Sequence, residues 1–217
     1  MAEQEHFQDR RHEYAEATRR DVVAAARELF GEKGYAGTTV DQIARRARVS
    51  PATVYAQCDG KQGLLKTLMD TWTAGALVGE IIEACATAEG ATEKARVLAD
   101  GYVTLYDASS DIIKIVTDAS FSAPVAAEFL TTANDRHLAA LVQIVGQIRE
   151  TGQLADGLSD EDAARIIFFY FRFEQFSLLA DTFGWGKRRA RDWICERVEA
   201  AILRDVDGAP AATRAPG

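Results

Sequence analysis

The sequence predicts an all-α protein in which a small N-terminal group of helices is joined to a larger helical domain. Three observations favour this fold class. The 217 residues include only four prolines, apolar residues recur at helical spacing along most of the chain, and no segment sustains the apolar–polar alternation of a half-buried strand. With 47% hydrophobic residues, the chain has enough apolar side chains for a sizeable core.

The first predicted helices are defined by their capping residues. Thr18, three residues before Asp21, resembles a capping box, and Gly34 ends the helix that follows. Thr39 and Gln42 make a second capping box, at the start of a helix of about two turns.

A very short third helix begins at Ser50, a good N-cap, with Pro51 at its first helical position. Such a helix is not stable alone in water, so the two helices before it must hold it. Two short helices joined by a three- or four-residue turn form a helix-turn-helix, whose second helix enters the DNA major groove. A plain helical hairpin is the alternative. The small or polar outer face of the third helix argues against it; this face carries Ala52, Thr53, Ala56 and Gln57.

Charge is distributed unevenly along the chain, although the net charge is −8. Residues 10–66 carry 11 lysines and arginines against 7 acids, whereas residues 67–217 carry 14 against 23. A mildly basic N-terminal quarter is therefore joined to an acidic remainder, which agrees with a nucleic-acid-binding surface in the first quarter. Chance clustering would give the same pattern, so charge alone does not decide.

Several classes of protein are disfavoured. No run of 18 apolar residues predicts a membrane span, and the polar N-terminus lacks a signal-peptide core, so we expect a cytoplasmic protein. Cys58, Cys85 and Cys195 lie far apart, as expected of reduced thiols. The sequence has no metal-ligand spacing, no nucleophile motif and no phosphate-binding glycine loop. We therefore predict no metal, no cofactor and no enzymatic activity.

In its first quarter the sequence resembles the TetR family of bacterial transcription regulators. The match covers residues 16–76 in unbroken register, and it is the order and spacing of its short motifs that make it specific. The residues that carry it are Ala26-Arg-Glu-Leu-Phe30, Gly34-Tyr35, Thr38-Thr39-Val40, Ile43-Ala44, Val49-Ser50, Thr53-Val54-Tyr55, Lys61 and Leu64-Leu65.

The resemblance implies a set of DNA-binding residues. Thr39 and Ser50 would cap helices whose N-termini face the DNA backbone, and Tyr55 and Lys61 would contact phosphates. The remaining residues of the third helix would face bases, with Gln57 suited to adenine and Thr53 to a thymine methyl. The complete predicted set is Thr39, Arg48, Ser50, Pro51, Ala52, Thr53, Tyr55, Ala56, Gln57 and Lys61. Upstream arginines would either reach DNA or form a solvated arm; these are Arg10, Arg11, Arg19 and Arg20.

Three positions depart from the family pattern. Arg48 stands where the turn usually has glycine, and a left-handed arginine there would cost about 1 kcal/mol and add a charge near the DNA backbone. Cys58 replaces an aromatic residue, and we expect a buried, inert thiol rather than a redox switch. Asp59-Gly60 precedes Lys61 and predicts a flexible start to the fourth helix.

We predict four segments: a flexible arm (1–15), the DNA-binding domain (16–76, with the helix-turn-helix at about 39–58), a ligand-binding and dimerisation domain (77–204) and a disordered tail (205–217). Helices beyond the third are predicted over residues 61–86, 92–108, 111–120, 124–151, 160–183 and 187–204.

The resemblance also implies a ligand pocket and a homodimer interface in the acidic part. Residues 166–185 hold many aromatic side chains on all sides of a helix, which indicates burial on more than one side, although core packing explains most of them individually. The predicted pocket residues are Trp72, Tyr102, Tyr106, Phe121, Phe129, His137, Phe169, Phe173 and Glu174. The predicted interface residues are Ile167, Phe171, Leu178, Trp193 and Val198.

These expectations together describe a homodimeric, ligand-responsive transcriptional regulator. In this family it would most often be a repressor, released from a near-palindromic double-stranded DNA operator by a small hydrophobic or aromatic effector. Two alternatives stay open: a transcriptional activator, and a small-molecule carrier with a vestigial DNA-binding head. The looser packing expected at Cys58 is the one feature that favours the carrier.

Overall fold

The structure, a computed structural model, describes residues 2–204, with side chains from residue 12 onward. This part of the chain is mostly helical and contains no named strand, which confirms the all-α prediction. The elements are α1 (Ala2–Gly37), α2 (Val40–Arg46), α3 (Pro51–Cys58), α4 (Gly60–Thr73), α5 (Ala76–Thr87), α6 (Gly90–Ser120), α7 (Pro124–Glu150), α8 (Asp160–Tyr170), α9 (Phe173–Ser177), a π-helix (Leu178–Thr182) and α10 (Gly186–Ile202).

The first of two compact units comprises residues 1–75 and 108–136. One continuous apolar core joins the four head helices, α1 to α4, to the segment 108–136. From the head it takes large side chains such as Phe30, Ile43 and Leu68, all almost fully buried. From the segment 108–136 it takes Ile112, Ile115, Val116, Ala119, Ala126 and Ala133.

The second unit comprises residues 76–107 and the chain from residue 137 onward, described to residue 204. Its core is built from α5, the first part of α6, the later part of α7, and α8 to α10. Fully buried members include Leu141, Ile148, Ile167, Ile194 and Ile202. Both α6 and α7 thus contribute residues to both units.

The domain organisation differs from the sequence prediction in one respect. The boundary expected after residue 76 lies beside the observed one after residue 75, but residues 108–136 group with the head. The apolar stripe Ile112, Ile115 and Val116 explains this, because it packs into the core of the head. The predicted arm, residues 1–15, is helical from Ala2, and its flexibility stays a prediction. The predicted tail, 205–217, lies outside the described residues.

The helix predicted over residues 61–86 is in fact two helices, α4 and α5, separated at Ala74–Gly75. Thr71 and Thr73 each donate a hydroxyl hydrogen bond to the carbonyl four residues earlier, a contact that bends helices. A side chain at Gly75 would lie 2.5 Å from the Thr71 carbonyl oxygen, so the break depends on glycine.

Two further helix predictions were wrong. Residues 92–108 and 111–120 form the single helix α6, because no glycine or proline lies between residues 102 and 122 and the apolar stripe continues through Ile112. The helix predicted over 160–183 divides after Tyr170, where Arg172 adopts an extended conformation. The guanidinium of Arg172 then binds Glu174 at 3.0 and 3.1 Å, which fixes the start of α9.

Candidate nucleic-acid interface

The capping box predicted at the start of α2 is present. The Thr39 hydroxyl accepts from the Gln42 backbone N–H at 3.3 Å, and the Gln42 side chain accepts from the Thr39 backbone N–H at 3.0 Å. Thr38, just before it, is buried and donates its hydroxyl to the carbonyls of Leu29 and Gly34. The end of α1 and the start of α2 are therefore fixed to each other by side-chain hydrogen bonds.

The turn between α2 and α3 is closed by a Schellman motif with arginine at its left-handed position. The Val49 N–H donates to the Ala44 carbonyl at 2.9 Å, and the Arg48 N–H donates to the Arg45 carbonyl at 3.3 Å. Arg48 has φ 58°, a conformation in which glycine is unstrained and an L-residue is not. Arg48 therefore has the left-handed conformation whose cost the sequence analysis considered, and its side chain is exposed.

The start of α3 is specified by Ser50 and Pro51. The Ser50 hydroxyl accepts from the Thr53 backbone N–H at 3.1 Å, and it also lies 2.9 Å from the Thr53 hydroxyl, so the Thr53 side chain is oriented by its cap. Val54 and Cys58 are the buried residues of this helix.

The outer face of α3 is open to solvent. Pro51, Ala52, Tyr55 and Ala56 are exposed, while Thr53 and Gln57 are half-buried. All six are in the predicted DNA-binding set, so the structure brings the predicted base-facing residues onto one short helix.

The C-terminal end of α3 is held by residues from elsewhere in the head. The Arg19 guanidinium donates to the Gln57 carbonyl at 2.7 Å, which satisfies a terminal carbonyl and complements the helix dipole. Asp59 follows in the left-handed region with φ 53°, and Gly60 has φ 66°. A Cβ on Gly60 would lie 2.7 Å from the Tyr55 ring, so glycine leaves room for this ring beside the start of α4.

Lys61 has a structural role that the sequence analysis missed. Its ammonium donates to the carbonyls of Tyr35 and Thr38 at 2.9 and 3.0 Å, and it lies 4.3 Å from the centre of the Tyr35 ring. Desolvation lowers the pKa of the half-buried lysine. The group predicted to contact a phosphate therefore already ties α4 to the α1–α2 turn.

The basic side chains near α3 differ in their partners. Arg46 is paired with Glu28 at 2.5 Å and with Glu32 at 3.4 Å. Arg45 and Arg48 are exposed and form no ion pair within residues 12–204. Arg45 lies at the end of α2 and Arg48 in the turn after it, and both remain available to an anionic partner.

Cys58 is buried, as predicted, with an exposed fraction of 5%. Burial raises the pKa of its thiol, against the opposing charge of Arg19, so the thiolate is disfavoured. The thiol packs in the core of the head, where the sequence analysis expected looser packing.

Some of the side chains predicted to line a ligand pocket contact one another in the second unit. The Tyr102 ring stacks on Phe171 at 4.3 Å, and its hydroxyl is hydrogen-bonded to His137 Nε2. Burial, together with the charge of Arg172, lowers the pKa of His137 to about 4, so the imidazole is neutral at pH 7. Burial also raises the pKa of Tyr102.

A second group of rings lies around Tyr106. Phe173 and Phe176 are 5.3 and 4.7 Å from the Tyr106 ring, and the Tyr106 hydroxyl donates to Asp181 at 2.5 Å. We refer to both groups of rings as the aromatic cluster: Tyr102, Tyr106, His137, Phe168, Phe171, Phe173 and Phe176. The predicted set missed Phe168 and Phe176 and assigned Phe171 to the interface, although all three lie in the aromatic-rich stretch that the sequence singles out.

The other predicted pocket residues do not join the aromatic cluster. Trp72 and Phe129 are half-buried against the core of the first unit. Phe121 and Phe169 have exposed fractions of 85% and 58%, which is open surface rather than the lining of a cavity. Glu174 is exposed and paired with Arg172; burial acts to raise its pKa, but the hydrogen bonds from Arg172 lower it.

The predicted interface residues also need correction. Ile167, Phe171 and Val198 have exposed fractions of 5% or less because they lie in the core of the second unit. They leave no surface for a partner, and the predicted set is reduced to the exposed Leu178 and Trp193.

Among residues 2–204, no helix combines the length and the apolarity that a bilayer crossing requires. Within the same range, no group of three or more His, Cys, Asp or Glu residues is arranged to hold a metal ion.

Comparison with solved structures finds the same fold. The chain matches SmeT in complex with triclosan with a TM-score of 0.73 at 22% identity, over 92% of this chain and 98% of SmeT. It matches FadR of Bacillus subtilis in complex with stearoyl-CoA with a TM-score of 0.70 at 19% identity, over 82% and 96% of the two chains.

Comparison of sequences finds relatives that match part of the chain. The chain is 36% identical to the uncharacterized HTH-type transcriptional regulator YvkB of Bacillus subtilis (strain 168) over 66 residues, 30% of this chain and 34% of YvkB. It is 39% identical to the HTH-type transcriptional regulator HbdR of Aromatoleum sp. (strain CIB) over 61 residues. These matches span about a third of the relatives' length or less. Residues 22–68 match the model for bacterial regulatory proteins of the tetR family, so the head of the chain is similar to that family.

Proposed function

We propose that the chain is a DNA-binding transcriptional regulator that responds to a small ligand and works in the cytoplasm. Because most regulators of the TetR family are repressors, we propose that this chain is a repressor too. The observation that carries this proposal is the helix α3. It is capped by Ser50, closed at its other end by Arg19, and presents Ala52, Tyr55 and Ala56 to solvent. A helix so short and so fully held by its neighbours, with an open outer face, is suited to enter a major groove.

Electrostatics supports the same proposal. The exposed Arg45 and Arg48 lie at the end of α2 and in the turn before α3, and the N-terminus of α3 adds the positive end of a helix dipole. We propose that these groups contact phosphates, together with the Tyr55 hydroxyl. Binding should then weaken steeply as salt rises, because each phosphate contact releases counterions.

We propose that two copies of the chain form the DNA-binding species. A dimer would place two α3 helices in successive major grooves, about 34–36 Å apart, on a near-palindromic operator. The exposed apolar side chains at Phe169, Leu178, Phe183 and Trp193, all in the last helical part of the second unit, support a contact between copies there.

We propose that the effector is a small apolar or aromatic molecule bound at the aromatic cluster. Stacked rings and a neutral His137 suit such a molecule better than a charged one. The complexes of SmeT with triclosan and of FadR with stearoyl-CoA support an apolar effector by analogy. The effector releases the operator only if it binds the DNA-incompetent state more tightly.

The first probe is triclosan, the ligand in the SmeT complex, and the measurement is release of the bound duplex. A protein–DNA complex that stays unchanged across a panel of apolar and aromatic compounds would contradict the proposed effector class.

The carrier alternative depended on loose packing around Cys58, and burial of this residue in the core of the head weighs against it. An activator differs from a repressor only in where the operator lies relative to the promoter, which a footprint beside the regulated promoter would decide.

The test is a selection of bound duplexes from a random DNA pool, followed by gel shift at about 150 mM salt with excess nonspecific competitor. We expect one enriched, near-palindromic sequence and a competitor-resistant complex. Tyr55→Phe should weaken binding about fivefold per head, since it removes one phosphate hydrogen bond but keeps the ring. Tyr170→Phe, in the second unit, is the matched control and should change nothing. No enriched sequence would contradict the proposed function.

A further inference from the structure

We propose that Arg27 and Arg136 are positioning residues for DNA binding. Through ion pairs with Asp111 and Asp70 they hold the head helices α1 and α4 in place on the segment 108–136. The inference rests on the proposed function, because it concerns the same DNA-binding head. It adds residues that lie outside the helix-turn-helix and outside the predicted DNA-binding set.

The first ion pair joins α1 to α6. Arg27 Nε lies 2.5 Å from one carboxylate oxygen of Asp111, and Nη2 lies 2.6 Å from the other. Nη2 also donates to the Ala108 carbonyl at 3.0 Å. The hydrogen bond from Arg27 lowers the pKa of Asp111, so the carboxylate stays ionised near neutral pH. A bidentate arginine–carboxylate contact is directional, and it fixes both the distance and the orientation of the two helices.

The second ion pair joins α4 to α7. Arg136 Nη1 donates to one Asp70 oxygen at 2.6 Å and to the Thr73 hydroxyl at 3.0 Å. The other Asp70 oxygen accepts from Lys66, one turn earlier on α4, at 2.7 Å. Burial acts to raise the pKa of Asp70, but the hydrogen bonds from Arg136 and Lys66 lower it. Both carboxylate oxygens of Asp70 are therefore hydrogen-bonded, one to Arg136 of α7 and the other to Lys66 of α4.

These pairs specify position more than they stabilise folding. The Arg27 and Asp111 side chains are 38% and 50% exposed, and those of Arg136 and Asp70 are 38% and 34% exposed. Ion pairs exposed to this extent add little to the free energy of folding. The apolar core that α1 and α4 share with residues 108–136 remains without them.

The recognition helix depends on the helices that these pairs hold. α3 packs directly against both α1 and α4, and Arg19 of α1 binds its last turn. A shift of α1 or α4 therefore displaces α3. Groups that read a ligand must be held within about 0.5 Å of the productive geometry, so a small displacement lowers affinity without unfolding the chain.

The variants that test this are two double substitutions. Arg27→Gln with Asp111→Asn removes the first pair, and Arg136→Gln with Asp70→Asn removes the second. Each double variant keeps the net charge of the chain, so its long-range attraction to DNA is unchanged.

The matched control is Lys114→Gln with Asp118→Asn. This pair has a 2.7 Å contact and lies in the same unit, but both of its residues belong to α6. The control variant therefore also removes one cation–carboxylate pair and keeps the net charge, but it breaks no contact between two helices.

The measurement is the Kd for the duplex that the wild-type chain selects from a random pool, alongside the Kd for an unrelated duplex. We expect each inter-helix variant to bind the selected duplex about fivefold more weakly, to bind the unrelated duplex normally and to keep the thermal midpoint of the control. The control should stay within about twofold of wild type.

Two results would overturn the inference. One is binding of the selected duplex by both inter-helix variants as tightly as by the control. The other is an equal loss on both duplexes together with a lowered thermal midpoint, which indicates loss of folding. If the wild-type chain selects no duplex at all, it is the proposed function that fails, and the two failures are thus distinguishable.

Discussion

Replacing Arg48 with glycine should stabilise the chain and at the same time weaken its binding to DNA. Arg48 occupies the left-handed position of the turn before α3, with φ 58°. Its side chain is exposed and has no ion-pair partner within residues 12–204. The backbone of this residue thus costs folding free energy, while its charge is available to a phosphate.

The magnitude follows from the backbone conformation. An L-residue in the left-handed region costs about 1–2 kcal/mol, which glycine does not incur. Glycine also gains freedom in the unfolded chain, which offsets about 0.4–1 kcal/mol of that benefit. The net expectation is a stabilisation of about 0.5–1 kcal/mol, or a rise of about 2 °C in the thermal midpoint for a chain of this size.

The assay pairs thermal unfolding with DNA binding, and Arg48→Ala separates strain from charge. Alanine removes the guanidinium but keeps the strained backbone, so Arg48→Ala should not raise the midpoint. Both variants should lower the slope of log K against log salt by about 1 per head, because both remove one phosphate contact. A midpoint for Arg48→Gly at or below that of Arg48→Ala would refute the strain argument. Unchanged salt slopes would refute the phosphate contact.

Three further predictions concern the rest of the chain. Gly63→Ala should destabilise the chain by more than about 2 kcal/mol in urea unfolding, because the new Cβ would lie 1.9 Å from the backbone carbonyl oxygen of Cys58. Gly79→Ala is the control: a Cβ there has no neighbour within 4 Å, so this substitution should be neutral or stabilising. Since the folded-state pKa of His137 is lowered to about 4, below the usual value of 6.5, the unfolded chain binds more protons. Stability should fall by about 2 kcal/mol as pH drops from 7 to 5, and His137→Gln should remove most of that slope; an unaltered slope would contradict the assignment. Phe169→Glu should give monomers in light scattering if the last helices form the dimer interface, and Phe121→Glu, in the other unit, should not.

Most parts of the fold that the sequence predicted are set by local interactions. The helix start predicted at Thr18 was wrong, because α1 is already helical there and the Thr18 hydroxyl donates to the Tyr14 carbonyl. The capping box of Thr39 and Gln42, the Ser50 cap and the left-handed Arg48 all depend on residues within four positions of one another. Their spacing is visible in the sequence, and the structure has each of them.

The parts that were missed depend on contacts between distant residues. Lys61 donates to carbonyls 23 and 26 residues away, and Arg19 donates to one 38 residues away. Because these partners are so far apart in the sequence, no local sequence pattern predicts either contact. Likewise, the grouping of residues 108–136 with the head follows from an apolar stripe, which shows that a face is buried but not what covers it.

The interface prediction failed for a related reason. Residues 166–185 are apolar on every side, so periodicity cannot tell a residue buried within the chain from one that meets a second copy. Ile167 and Val198 lie in the core, whereas Leu178 and Trp193 are exposed, and only the folded chain distinguishes them. The break after Tyr170, which reorients the following aromatics, has no glycine or proline to signal it.

The most direct test of the central claim, that α3 reads DNA, compares the sequences selected by wild type and by Gln57→Arg. Glutamine pairs bidentately with adenine in the major groove, and arginine with guanine. We expect a near-palindrome for wild type and, for the variant, a change from adenine to guanine at one symmetry-related position in each half-site. An identical motif for both proteins, or no motif for wild type, would contradict it.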